Sequence, residues 1–99
     1  IENEYKSTFV DLYIQTSDDD KIWIKSSFPF TTYEVDGVEE LVYILEGLLF
    51  NQLFWVISYD DGDWDDTFLM LKDQEIKTEE GFTYKILSWN GKDDKVINA

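Results

Sequence analysis

The sequence predicts an α+β fold: an antiparallel sheet of about five strands with one amphipathic helix packed on a face. Three observations carry this expectation. Apolar and polar residues alternate in short runs before residue 30, and further strand-like runs, the first apolar on both faces, follow residue 52. Helical spacing appears once, between those runs. No repeat, linker or low-complexity tract divides the 99 residues, a length that suits one domain spanning 1–99.

The elements follow in order. "STFVDLYIQT" (7–16) alternates, with Val10, Leu12 and Ile14 on one face and Phe9, Asp11 and Tyr13 on the other, the period of a strand. "TSDDDK" (16–21) is a polar turn. "KIWIKS" (21–26) alternates again, with Ile22 and Ile24 inward and Trp23 outward, so the two runs read as a hairpin. "FPF" (28–30) interrupts, because Pro29 has no N–H to give a central ladder.

At Asp36 the period changes. Asp36 and Glu39 have the spacing of a capping box. Val38, Leu41, Val42, Leu45, Leu48 and Leu49 then recur at helical intervals, which predicts one amphipathic helix over 37–50. "LFWVISY" (53–59) is apolar on both faces, as a central strand requires. A strand is expected at 66–72, a short one at 75–78 and another at 82–89, with a fraying polar tail from Asn90.

Composition bounds the function. At 43% hydrophobic and 17% aromatic residues, the chain has the material for a folded core. Twenty-two acids oppose eight bases, all lysine, for a formal charge of −14. Solubility alone is served by a magnitude of roughly 2 to 8, and self-repulsion beyond that opposes compaction. Such a field attracts basic proteins and repels nucleic acid and anionic membranes. An acidic proteome or a salt-adapted cell is the bland alternative. With no cysteine, histidine or arginine, thiolate and imidazole chemistry is excluded and catalysis is disfavoured. No enzyme activity, catalytic residue, cofactor or metal is expected. The lack of cysteine fits the cytoplasm, and no apolar run reaches the roughly 18–20 residues of a membrane span.

The segment "YDDGDWDD" (59–66) concentrates the charge. An EF-hand reading fails: counted from Asp60, Gly62 falls at position 3 and Leu71 at position 12, where Glu is required. A calcium-dependent module of another kind stays open as an alternative. As a glycosidase site the segment is poor, since that chemistry needs one acid held apart in an apolar pocket. As a turn, "DDGD" is apt, but fewer carboxylates would suffice. An interaction surface accounts for more. Tyr59, Asp60, Asp61, Asp63, Trp64, Asp65 and Asp66 are the expected partner-binding residues, and Asp18, Asp19 and Asp20 beside Trp23 form a second set.

"FWVISYDDGDW" (54–64) resembles the aromatic, Asp-rich "DGDW" ending of the last strand in immunity proteins of ribosome-cleaving colicins and cloacins. The likeness covers those residues, and 65–99 continue beyond them, whereas in that family the motif closes the chain. The resemblance implies a small acidic inhibitor that binds and neutralises a basic toxin, a nuclease, by occluding its substrate groove. A phage-type DNA mimic that blocks a host nucleic-acid-binding protein is the alternative that uses the same physics.

Overall fold

The computed structural model describes residues 1–5, 10–28 and 31–99. The expected positions of Phe9 and of the Pro29 interruption lie outside these residues. The fold is α+β, as the periodicities predict, but the described residues form seven strands in two antiparallel sheets rather than one sheet of about five. The elements are β1 (Val10–Thr16), β2 (Ile22–Phe28), β3 (Thr31–Val35), α1 (Val38–Leu49), β4 (Leu53–Asp60), β5 (Asp63–Leu71), β6 (Phe82–Leu87) and β7 (Lys95–Asn98). One sheet has the order β1-β2-β3 and the other β5-β4-β6-β7.

The two sheets and the helix share a core. Leu12, Ile24 and Val35 of the first sheet cluster with Ile44 and Leu48 of α1 and with Leu53, Trp55, Ile57, Leu87 and Trp89. The opposite face of β4 builds a second cluster from Phe54, Val56, Met70, Tyr84 and Ile86. Every residue from Leu53 to Ser58 is therefore buried, which explains the unbroken apolar run of this central strand.

Three local expectations are corrected. The N-cap of α1 is Gly37, not Asp36, and no side chain caps it. Gly37 has φ 122°, so the sharp corner from β3 into α1 needs a residue without Cβ, and this displaces the capping box. Ile76 packs over the second cluster, yet 75–78 is irregular and pairs with no strand among the described residues. The tail does not fray: β7 pairs with β6, and the Asp94 carboxylate accepts from the Ser88 N–H at 2.6 Å and the Ser88 hydroxyl at 3.0 Å. A single polar turn thus holds 88–94 in place so that Val96 and Ile97 reach the sheet.

The helix buries a narrower stripe than its apolar content suggests. Ile44 and Leu48 are buried, with Leu41, Leu45 and Leu49 packed beside them, while Val38 and Val42 are exposed. The helix ends in a Schellman motif: the Gln52 N–H donates to the Gly47 carbonyl at 2.7 Å and the Asn51 N–H to the Leu48 carbonyl at 3.3 Å. Asn51 supplies the required left-handed residue at φ 59°. No helix among the described residues is long and apolar enough to cross a membrane.

Candidate functional site

The acidic segment is not an open loop. β4 and β5 continue through it as a hairpin whose turn is Asp61 and Gly62 alone, at φ 50° and 88°. Two consecutive positive φ values are the geometry of the tight hairpin turn favoured by Asp-Gly. The expected strand at 66–72 therefore begins three residues earlier, at Asp63, because the turn is short enough for the aspartates to enter the ladder.

Pairing fixes where each side chain goes. Asp60 stands opposite Asp63, Tyr59 opposite Trp64, and Ser58 opposite Asp66. Asp65 is left over as a bulge residue. Its carboxylate accepts from the Ser58 hydroxyl at 3.0 Å, and Asp66 accepts from the Thr67 N–H at 2.8 Å. Asp65 thus ties the bulge to β4 and the Asp66 carboxylate bonds locally, whereas Asp60, Asp61 and Asp63 stand exposed at the tip.

Trp64 is 63% exposed. Its indole N–H donates to the Thr67 hydroxyl at 3.0 Å, which orients the ring without burying it. Tyr59 is half-buried against the shared core, and the Lys85 ammonium lies 5.3 Å from its ring centroid. That cation–π contact occupies Tyr59 from within the chain, so the tip presents Trp64 rather than Tyr59 as its aromatic group.

The second expected set lies on the other sheet. Asp18, Asp19 and Asp20 form the exposed β1–β2 turn, where the Ser17 hydroxyl donates to Asp19. Lys21 pairs with Asp19 at 4.0 Å and with Glu34 at 3.8 Å. Ile22 and Ile24 belong to the core, so alternation directs Trp23 to the opposite face of this sheet, where it is half-buried. The two acidic sets thus belong to separate sheets. Among the described residues both ion pairs belong to Lys21, and the β4–β5 tip has none.

Asp65, Asp66 and Glu79 line a cleft of about 340 Å³ beside the hairpin, together with Lys77. Among the described residues no three acidic side chains form an arrangement able to hold a metal ion, so the calcium-dependent alternative gains no support from geometry. Sequence reasoning missed a different feature: Tyr43 and Phe50, 61% and 69% exposed, lie on the helix face turned away from the core. Their spacing of seven residues, off the buried stripe, was the available signal. Comparison with family models, with curated proteins and with solved structures gives no match for this chain.

Proposed function

We propose that this chain is a non-enzymatic inhibitor of the immunity type, which binds a cationic toxin, a nuclease, and covers its basic substrate groove. The observation that carries the reading is the tip of the β4–β5 hairpin. Asp60 and Asp63 face each other across the ladder with no ion-pair partner among the described residues, and Trp64 projects beside them. Like charges placed directly opposite one another destabilise a sheet. An arrangement that works against the fold is explained when a positive partner surface relieves it.

The division of labour follows from magnitudes. Exposed charge pairs contribute only about 0–1 kcal/mol each, so the aspartates steer encounter more than they hold the complex. Holding falls to buried anchors, and tryptophan is enriched among them. In this reading Trp64 is the anchor, and Asp60, Asp61 and Asp63 take the role of a nucleic acid substrate's phosphates. Asp18, Asp19, Asp20 and Trp23 act in this reading as a peripheral set that adds to the field.

The test is affinity capture by the tagged protein from its source lysate, washed first at low and then at high salt. One basic nuclease or toxin fragment retained at high salt is the expected result. Capture of nothing, or of many basic proteins that leave at the first salt step, defeats the reading.

A further inference from the structure

The end of β5 away from the acidic tip meets the C-terminal end of α1. There Tyr43, Glu46, Gly47, Phe50, Leu53 and Leu71 line a groove of about 240 Å³. Its floor exists because Gly47 has no side chain: a Cβ there would stand 2.5 Å from Leu53 Cδ1. Its walls are exposed apolar groups, Tyr43 at 61%, Phe50 at 69% and Leu71 at 49%. The Schellman ending fixes Phe50 at the C-cap, outside the helix's packed face.

We infer that this groove receives an aliphatic side chain flanked by lysine or arginine, presented by the same cationic partner. Two features give the occupant its charge. The last turn of α1 has no basic residue and carries Glu46, so an acid sits where the helix dipole is already negative. A partner cation relieves that repulsion, as one does at the hairpin tip. A second copy of the chain brings a further −14 and is disfavoured on this surface. Lys72 lines the adjoining cleft with Asp73 and Gln74 rather than the groove itself.

Register makes the groove and the tip two ends of one surface. Leu53 opposite Leu71 and Trp55 opposite Leu69 belong to the helix-side face of β4, and past the bulge Trp64 returns to that face opposite Tyr59. Leu71 and Trp64 are therefore about 20–24 Å apart along one edge strand, a span that suits a partner surface of ordinary size. This inference rests on the proposed function for the identity of the partner, while Glu46 and the helix C-terminus give the sign of the charge the groove favours.

The test uses a lysine-rich synthetic peptide with a central leucine pair, and a control in which serines replace the leucines. Amide NMR spectra of the labelled protein are recorded with each. The leucine peptide is expected to shift Tyr43, Gly47, Phe50 and Leu71, and the serine peptide to leave them in place. Tyr43→Ser with Phe50→Ser, both exposed, should weaken the leucine peptide at least about tenfold and leave the serine peptide unchanged. Shifts confined to 60–66, or equal for both peptides, overturn the groove and leave the proposed function standing. Shifts at the groove without shifts at 60–66 support the groove and count against the hairpin. Peptide-free self-association that disappears in the double variant also overturns the inference, since the occupant would be a second copy.

Discussion

The buried hydroxyl of Ser58 donates to the carboxylate of Asp65 at 3.0 Å, tying the one unpaired residue of the β4–β5 ladder to the central strand. Of the five aspartates in the segment, this one has a structural task that composition alone does not show. Ser58→Ala leaves the carboxylate without that donor and should cost about 1–2 kcal/mol in urea unfolding. In a double-mutant cycle, Asp65→Ala should cost little more once Ser58 is gone. Full additivity would mean the bond does not hold the bulge.

The three tip aspartates should behave differently. Asp60→Asn, Asp61→Asn and Asp63→Asn together remove charge from exposed positions, and asparagine suits the left-handed turn position at 61. Thermal stability should be unchanged or slightly higher, while association with the captured partner slows and loses much of its salt dependence. Trp64→Ala should instead speed dissociation and change folding stability by no more than about 0.5 kcal/mol. Stopped-flow association and surface-based dissociation measurements separate the two effects.

Gly62 and Gly47 give a paired prediction in which the same substitution fails for different reasons. At Gly62 a Cβ would meet nothing within 4 Å, but φ is 88°, so Gly62→Ala should cost about 1–2 kcal/mol through backbone strain alone. At Gly47 the backbone is helical and the obstacle is Leu53. Overpacking costs about 1–3 kcal/mol, more than the roughly 0.5–1 kcal/mol that alanine contributes to a helix. Gly47→Ala should therefore destabilise wild type and become neutral or favourable beside Leu53→Ala. Denaturant unfolding of the four variants checks both claims.

Tyr33 links the first sheet to the helix, its hydroxyl donating to the Glu40 carboxylate at 3.3 Å. Burial, then the charge and hydrogen bond of Glu40, then Asp36, raise its pKa above the ordinary 10.0. A group raised in the folded state contributes stability that is fully present below its unfolded value and lost as pH rises through the folded one. Stability should thus fall above about pH 10, and Tyr33→Phe should show a shallower fall. Unfolding curves from pH 8 to 11 test this, and identical slopes would contradict it.

Much of this architecture is legible in the sequence because periodicity reports burial. β4 reads as central since both faces are apolar, and α1 reads as a helix since its leucines recur correctly. β3 and β7 are illegible for a physical reason. "TTYEV" is short and mostly polar and "KVIN" has four residues, only two of them apolar, and their pairing depends on β2 and β6 rather than on their own propensity. Asp36 misleads because its cap spacing competes with a glycine that alone can take φ 122°. At the site, residue types pick out the acids and Trp64. Only register shows that Asp65 is structural, that Lys85 occupies Tyr59, and that the acidic turns lie on separate sheets.

The most direct measurement is a titration of the captured partner's nuclease activity with this protein, run beside a Trp64→Ala variant. The account predicts complete inhibition at one equivalent by wild type and at least about tenfold weaker inhibition by the variant. A partner that cuts nucleic acid at full rate when saturated with this chain would contradict it.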